Sequence, residues 1–544
     1  MTIDEIENNL WSMANSLRGN MDASEYKNYI LGFMFYRYLS EKEEQYLVEQ
    51  EIIDLQEGET VAQALERGIE EEGGGTSEDH LKEGWSEYVA DMVSGLGYAI
   101  KPQYLWSTIL QQVKDKTIKA ETYQNAINEF DATTKINKNS AADFTGIFNE
   151  MNLGADRLGK NTVERAKSLS GIVELVDKTS YVSDTGEDIL GEIYEYLISQ
   201  FAASAGKKGG EFYTPHQVSE LIARIVTDGK ENKDEEFSVF DPACGSGSLL
   251  LTVGQHLNSE GKPGAVKYYG QELNTGTFNI ARMNLLMHNV IYQDVHLNNA
   301  DTLGRDWPDG PDSQGVDHPR MFDAVVENPP YSAKWSADPS YEKDARYRDC
   351  DGALAPKSKA DYAFLLDGLY HLRKDDGVMG IVLPHGVLFR GGTEEKIRKM
   401  LIEKNRIDTI IGLPANLFYG TGIPTIIMIL KKDMKTDRNI LFIDASKEFS
   451  KVKTRNILRD EDIDKIFRIY KDRKDVDKYA HLASYEEIKS NDFNLNIPRY
   501  VDTSEPEKPV DLDAVLAKIK QDDEEINKAQ AEIEEQLRIL GVIK

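Results

Sequence analysis

The chain has 544 residues, of which 94 are acidic and 64 are basic, and its formal net charge is -30 at pH 7. This acidity argues against a protein that holds nucleic acid by bulk charge alone, although a basic groove or a partner chain can still contact phosphates. The two cysteines, Cys244 and Cys350, exclude a disulfide framework and a multi-cysteine zinc site. No stretch has membrane-spanning length and the amino terminus lacks the features of a signal peptide, so we expect a cytoplasmic protein with no membrane partner.

The first 180 residues are predicted to be mostly helical. Apolar residues recur at helical spacing in segments 104–113, 123–130 and 163–176, and no cluster of chemically active side chains accompanies them. We therefore predict a helical bundle that orients a substrate or docks a partner. A further helix is predicted at 189–201, and a loop rich in glycine and lysine follows it.

That loop changes into an aromatic segment that ends in Thr214 and Pro215. Thr214 is predicted to cap a helix whose first residue is Pro215, because threonine and proline favour these two positions. Taken by itself, the segment is more typical of an ordinary helix cap than of a binding site. Its position just before the next motif favours a function.

A short apolar strand, a glycine-containing turn and a helix follow one another at 237–253. This order is typical of a mononucleotide-binding unit, and Gly245 and Gly247 would let a ligand approach the backbone closely. The turn has no Gly-Lys-Ser/Thr ending, which excludes a nucleoside-triphosphate P-loop. It also lacks the full G-x-G-x-x-G spacing, so a dinucleotide remains an open alternative at this point.

The next two predicted strands are followed by acidic residues, Glu272 and Asp301. An acidic residue at the end of the second strand of such a unit binds ribose hydroxyls. Asp301 is placed to accept a hydrogen bond from the amino group of a bound purine. In isolation, Asp301 is more typical of an ordinary turn.

The fourth predicted strand, 322–327, ends at Asn328-Pro329-Pro330-Tyr331, where two prolines stop the strand. The amino nitrogen of adenine is a poor nucleophile because its lone pair is delocalised into the ring. The Asn328 amide oxygen and the Pro329 carbonyl could accept its two N–H bonds and hold the nitrogen in line with an electrophile. Tyr331 offers a flat face for a base that has left the stack.

The ordered series of these motifs resembles DNA adenine methyltransferases that use S-adenosyl-L-methionine, and more narrowly the modification subunit of type I restriction-modification systems. The resemblance covers nearly the whole chain. It implies an α/β fold, with a Rossmann-like methyltransferase domain at 181–445 between a helical amino-terminal domain at 1–180 and a mainly helical, subunit-docking region at 446–544. It also implies direct methyl transfer to the N6 amino group of a flipped adenine, with S-adenosyl-L-methionine as cofactor and no metal.

The resemblance also assigns roles to individual residues. Phe418 or Tyr419 would lie on the face of the flipped base opposite Tyr331, and one departure from many relatives is Ser248 in place of a glycine. The implied catalytic residues are Asn328, Pro329, Tyr331 and Phe418. The implied cofactor-binding residues are Glu211, Phe212, Tyr213, Thr214, Pro215, His216, Asp241, Gly245, Ser246, Gly247, Ser248, Glu272 and Asp301.

The sequence contains no helicase P-loop, no obvious nuclease set and no separate target-recognition domain. We therefore expect sequence choice, translocation and cleavage to belong to other chains. The resemblance implies as partners double-stranded DNA, a specificity subunit, a second modification subunit and a restriction and translocation subunit. An apolar row repeats every seven residues near the carboxyl terminus and is predicted to dock on a partner's helices, with packing onto the amino-terminal helices as the alternative. The row consists of Leu512, Ile519, Ile526, Ile533 and Leu540.

Three other functions remain as alternatives. Asn-Pro-Pro-Tyr also marks enzymes that methylate RNA amines or glutamine side chains, and a catalytically silent assembly subunit is a third alternative. Cytosine ring-carbon methylation is disfavoured because neither Cys244 nor Cys350 follows a proline.

The loop at 332–360 is predicted either to contact a nucleic-acid backbone or to be a solvated lid, because acidic residues nearly match its basic ones. Its basic and aromatic residues include Lys334, Trp335, Arg346, Arg348, Lys357 and Lys359.

Overall fold

A computed structural model describes residues 10–12, 15, 23–179, 181, 189–205, 213–230, 236–259, 266–304, 307–308, 318–350, 352–418, 421–433, 435, 437–452, 455–503 and 511–544. The chain divides into two compact units, Met1–Val501 and Asp502–Lys544. Within the described ranges, no helix combines the length and the apolar character that crossing a membrane requires.

The amino-terminal part of the first unit is helical, as predicted, and several of its helices begin at side-chain caps. Thr60 forms a capping box with Gln63, and Ser77 accepts a hydrogen bond from the His80 N–H. The core of this part contains many buried tyrosine and phenylalanine side chains. The helices are α1 (Ala23–Glu49), α2 (Val61–Glu72), α3 (Glu78–Leu96), α4 (Trp106–Lys114), α5 (Ala120–Thr134), α6 (Lys138–Phe144), α7 (Thr162–Lys178) and α8 (Leu190–Ala205).

A nine-stranded mixed sheet forms the centre of the first unit. Its strand order is β11-β8-β6-β7-β5-β4-β1-β2-β3, and β7 runs antiparallel to both of its neighbours. The chain winds outward from β1 to β3 and then returns beside β1 as β4, so the carboxyl ends of β1 and β4 form a topological switch point. The strands are β1 (Phe237–Asp241), β2 (Val266–Glu272), β3 (Val295–Asn299), β4 (Ala324–Glu327), β5 (Val378–Pro384), β6 (Ile407–Gly412), β7 (Thr425–Lys431), β8 (Ile440–Asp444) and β11 (Ala480–Ala483).

Helices cover both faces of the sheet, so the strands are apolar along nearly their whole length. The predicted α/β fold with a Rossmann-like arrangement is confirmed. A separate hairpin is formed by β9 (Ser450–Val452) and β10 (Arg455–Ile457). The helices are α9 (His216–Thr227), α10 (Ser248–Ser259), α11 (Thr275–Met287), α12 (Asp361–Tyr370), α13 (Thr393–Glu403), α14 (Asp460–Asp472) and α15 (Tyr485–Ser490).

Helix α11 joins the helical part to the sheet. The Tyr38 hydroxyl donates to the Leu286 carbonyl at 2.7 Å, and the Arg282 guanidinium donates to the carbonyls of Ala142 and Thr145 at 3.1 Å. Apolar side chains of α11, including Met283, belong to the core of the helical part. The helical part is therefore fixed to the sheet domain by both apolar packing and hydrogen bonds.

The sheet extends past residue 445, where a boundary was predicted. Strand β11 pairs with β8 in antiparallel register, Ala480 opposite Ile443. The second unit contains α16 (Leu512–Ile539), which begins at Asp511 as N-cap. The apolar row on α16 is exposed, from 50% at Ile519 to 72% at Leu540.

Candidate functional site

The Asn328 side chain lies at the carboxyl end of β4 and is held by two hydrogen bonds. Its Nδ2 donates to the Thr214 hydroxyl oxygen at 2.9 Å, and its Oδ1 accepts a hydrogen bond from the Tyr331 hydroxyl at 2.9 Å. Because an amide oxygen has two lone pairs, Oδ1 can accept a second hydrogen bond beside that of Tyr331. Pro329 is buried and Pro330 is exposed, so the chain leaves the sheet at this point.

Thr214 does not have the predicted capping role. The N-cap residue of α9 is Pro215, in extended conformation with ψ of 137°, and no described side chain caps the helix. The chain enters the helix one residue later than predicted, which leaves the buried Thr214 hydroxyl available to Asn328. His216, the first residue of α9, is exposed.

The backbone of the turn after β1 is accessible to a ligand at Gly245. Gly245 and Gly247 have φ of 55° and 76°, in the left-handed region that favours glycine. A Cβ atom on Gly245 would meet no described atom within 4 Å. Burial raises the pKa of the Cys244 thiol well above its usual range, with smaller contributions from Asp241 and Glu272, so this thiol is protonated and poorly nucleophilic.

The predicted acidic residues lie at the carboxyl ends of two strands: Glu272 is the last residue of β2, and Asp301 follows β3. Glu272 accepts hydrogen bonds from two backbone N–H groups, that of Gly245 at 3.1 Å and that of Asn274 at 2.7 Å. Asp301 is exposed and accepts a hydrogen bond from the Leu303 N–H at 3.1 Å. Each carboxylate is thus oriented by a backbone N–H two residues further along the chain, and Glu272 also by the glycine turn.

Two further carboxyl groups lie at the switch point. Burial raises the pKa of Asp241 to about 8; a hydrogen bond from the Ala243 N–H opposes this rise and the nearby charge of Glu272 adds to it. Burial also raises the pKa of Glu327 well above its usual range, with contributions from Asp241 and Asp367. Neither carboxyl oxygen of Glu327 has a hydrogen-bond partner among the described residues. Glu327 is therefore a neutral acid directly before Asn328 in β4.

One cavity of about 580 Å³ connects these elements. It joins the glycine turn, the two acidic loops and Asn328, and helices α1 and α8 contribute part of its wall. The contribution of α1 and α8 was not predicted, because helical periodicity indicates which face is buried but not what that face covers. Lining residues from these two helices are Lys27, Leu31, Ile198, Phe201 and Ala202.

The cavity contains most of the predicted site. The predicted residues that line it are Tyr213, Thr214, Asp241, Gly245, Ser246, Ser248, Glu272, Asp301 and Asn328. Pro215, His216, Gly247, Pro329, Tyr331 and Phe418 do not line it. Glu211 and Phe212 lie outside the described residues, as does Tyr419.

Tyr331 and Phe418 contact each other edge to face beside the cavity. Their ring centroids are 6.0 Å apart and the ring planes meet at 79°. Phe418 is buried, with 4% of its surface exposed. Burial raises the pKa of Tyr331 well above its usual range, and the Asp361 carboxylate adds to the rise, so the Tyr331 hydroxyl remains protonated. A base could lie between these rings only after they separate.

The loop after Tyr331 holds Arg346 and Trp335 inward, whereas Lys334, Arg348 and Lys357 of the same loop are exposed. The Arg346 guanidinium is buried and forms ion pairs with Asp344 and Asp367, both at 2.8 Å. The Trp335 indole donates to the Ala355 carbonyl at 3.2 Å. These two side chains therefore stabilise the loop and are not presented to a nucleic-acid backbone in this conformation.

Comparisons with known proteins match almost the whole chain. Residues 185–509 match the family described as N-6 DNA Methylase, and residues 6–176 match the HsdM N-terminal domain. The Type I restriction enzyme MpnII methylase subunit of Mycoplasma pneumoniae is 34% identical over 516 residues, which are 93% of this chain and 91% of that protein. The MjaVIII methylase subunit of Methanocaldococcus jannaschii is 33% identical over 450 residues, 81% of this chain and 71% of that protein.

A solved structure has the same fold. The crystal structure of the type I restriction-modification system methyltransferase subunit from Streptococcus thermophilus is 43% identical in sequence, and its TM-score with this chain is 0.81. The match covers 92% of this chain and 100% of that one. The likeness therefore includes both the helical part and the sheet.

Proposed function

The chain belongs to the N-6 DNA methylase family as a type I restriction-modification methylase subunit, and we propose that it methylates the N6 amino group of a flipped adenine in DNA. The methyl donor would be S-adenosyl-L-methionine. The observation that carries this proposal is the single cavity that joins the glycine turn, Glu272 and Asp301 to Asn328. A cofactor bound beside the glycine turn, Glu272 and Asp301 would therefore reach a target amine held at Asn328.

The described residues fit this cofactor. The cavity volume of about 580 Å³ is typical of small-molecule sites, and the open space beside Gly245 allows a ligand to approach the backbone. Glu272 would bind the ribose hydroxyls and Asp301 the adenine amine of the cofactor, as expected for acidic residues after β2 and β3. When bound, the cofactor supplies an electrophilic methyl group on a positively charged sulfur.

Asn328 and Pro329 would hold the target amine. The free lone pair on Asn328 Oδ1 and the Pro329 carbonyl each accept one N–H bond, which aligns the nitrogen with the methyl carbon. The amine would gain the methyl group that the cofactor supplies and would release one proton to solvent. Thr214 and Tyr331 keep the amide plane fixed during this step.

The flipped base would stack on Tyr331, with Phe418 or Tyr419 on its other face. The edge-to-face contact of Tyr331 with Phe418 has to open for this arrangement. Stacking on an aromatic ring contributes about 1–3 kcal/mol per base, which would offset part of the cost of removing the base from the duplex.

The remaining functions of the system would belong to other chains in the cytoplasm. The exposed apolar row of α16 would dock on helices of a specificity subunit, and a second modification subunit and a restriction subunit would complete the assembly. Within this chain we propose three segments: a helical part at 1–180, a catalytic part at 181–445 and a docking part at 446–544. Strand β11 lies in the third segment but pairs with the sheet of the second.

The proposal is tested by purifying the chain together with the products of its neighbouring genes. Tritium-labelled S-adenosyl-L-methionine is then offered with amplified unmethylated DNA, with RNA and with protein in parallel. We expect label in DNA alone, and sequencing should place N6-methyladenine at one recurring site. Label in RNA or in glutamine side chains would contradict the proposed substrate, and cofactor binding without transfer to any acceptor would favour a silent subunit.

A further inference from the structure

Lys27 lies in the wall of the cofactor cavity although it belongs to the helical part of the chain. It is half-buried near the start of α1, and Leu31, one turn later, lines the same cavity. Phe201 and Ala202 of α8 lie in the same wall. The Tyr38 hydroxyl of α1 donates a hydrogen bond to Leu286 of α11, and apolar side chains of both helices pack in one core. This interface fixes the position of Lys27 relative to the sheet.

The described wall of the cavity contains more acidic than basic side chains. Among the described lining residues the acidic side chains are Asp241, Glu272 and Asp301, and Lys27 is the one lysine or arginine. S-adenosyl-L-methionine has a positive sulfonium, an α-ammonium group and a single negative group, the α-carboxylate. Acidic side chains can bind the ligand's amines, hydroxyls and positive charges, but its carboxylate requires a hydrogen-bond donor, and a cationic donor binds it most strongly.

We propose that Lys27 binds the α-carboxylate of the cofactor's methionine portion, so that the helical part completes the cofactor site. This inference rests on the proposed function. Leu31 and Phe201 contribute apolar surface to the same cavity wall, and apolar surroundings lower the local dielectric and strengthen a charge pair relative to one in open water. Cofactor binding would then also stabilise the packing of α1 and α8 against the sheet domain.

The experiment uses two ligands that differ only in the α-carboxylate. Calorimetry measures the Kd of the full-length chain for S-adenosyl-L-methionine and for decarboxylated S-adenosylmethionine, which retains the sulfonium and the amine. For Lys27→Gln we expect affinity for the first ligand to fall about 10- to 100-fold and affinity for the second to change less than about twofold. Lys27→Arg should retain most of the affinity for both.

A matched control is Lys82→Gln, because Lys82 is an exposed lysine of helix α3 that does not line the cavity. Equal weakening of both ligands in Lys27→Gln, or no weakening of either, would overturn the inference. So would a carboxylate-selective loss in Lys207→Gln or Lys208→Gln that Lys27→Gln does not show. If the wild-type chain and its assembled complex bind neither ligand, the proposed function itself fails and this inference fails with it.

Discussion

The side-chain amide of Asn328 donates a hydrogen bond of 2.9 Å to the hydroxyl of Thr214, a residue 114 positions earlier in the chain. This bond connects the segment before α9 with the end of β4. Together with the Tyr331 hydroxyl on Oδ1, it fixes which atom of the amide faces the target amine. The orientation of the amide is thus determined by two neighbours in the absence of substrate.

Removal of the Thr214 hydroxyl should slow methyl transfer. In Thr214→Val the Asn328 amide loses its acceptor and can rotate, so we expect the single-turnover rate to fall about 10- to 100-fold. Thr214→Ser keeps the hydroxyl and should stay within about threefold of wild type. Because Pro215 is the N-cap residue of α9, Thr214→Val should have little effect on Tm. A large loss of Tm with an unchanged rate would assign Thr214 a structural role instead.

The buried carboxyl of Glu327 should make the stability of the chain depend on pH. Its pKa is raised in the folded chain, so between the unfolded and folded values the folded chain holds a proton that the unfolded chain has released. Stability from this group is therefore complete below the unfolded pKa and is lost as pH rises toward the folded value. Glutamine has no such proton to lose.

Urea unfolding of wild type and Glu327→Gln from pH 5 to pH 8 measures this effect. The stability of the variant relative to wild type should increase with pH, by up to about 1.4 kcal/mol per pH unit. Glu327→Ala is expected to be less stable than Glu327→Gln because it leaves a cavity in the core. A stability difference that stays constant over this pH range would show that Glu327 is not a neutral acid in the folded chain.

Cofactor affinity should depend on the ionisation of Asp241. Its pKa of about 8 means that this carboxyl is mostly protonated at pH 7, and a cationic ligand nearby would favour the ionised form. Binding at pH 7 should then release a proton, and affinity should increase with pH up to about 8. Calorimetry in buffers of different ionisation enthalpy measures the released proton.

The control for this prediction is Asp241→Asn, which has no carboxyl to ionise. Any pH dependence that arises from the ligand's own amine remains in the variant, so the difference between the two chains reports Asp241 alone. S-adenosyl-L-homocysteine, which lacks the positive sulfur, should show a smaller difference. An identical pH dependence in wild type and Asp241→Asn would contradict the prediction.

Local patterns in the sequence predicted the strands and the turn that carry the cavity residues of the sheet domain. The strand, glycine turn and helix around Gly245 are adjacent in sequence, and the ends of β2, β3 and β4 follow from where apolar runs stop. Parallel strands bring their carboxyl ends to one edge of the sheet. The order of these elements along the chain is therefore enough to predict that Glu272, Asp301 and Asn328 lie near one another.

Contacts between distant segments were not predicted. The bond from Asn328 to Thr214 and the position of Lys27 depend on how separate helices pack, and residue spacing carries no information on that. Strand β11 has only four residues and no strong alternation, so its place in the sheet was also missed. Arg346 was predicted at a nucleic-acid surface or in a solvated lid, but its acidic partners Asp344 and Asp367 hold it in the interior.

The central claim is that Asn328 acts on the target amine and not on the cofactor. It is tested most directly by expressing Asn328→Ala with the same neighbouring gene products and measuring N6-methyladenine in DNA and cofactor Kd on the same preparation. We expect methylation below about 1% of wild type and a Kd within about threefold of wild type. Undiminished methylation by the Asn328→Ala chain would contradict the account.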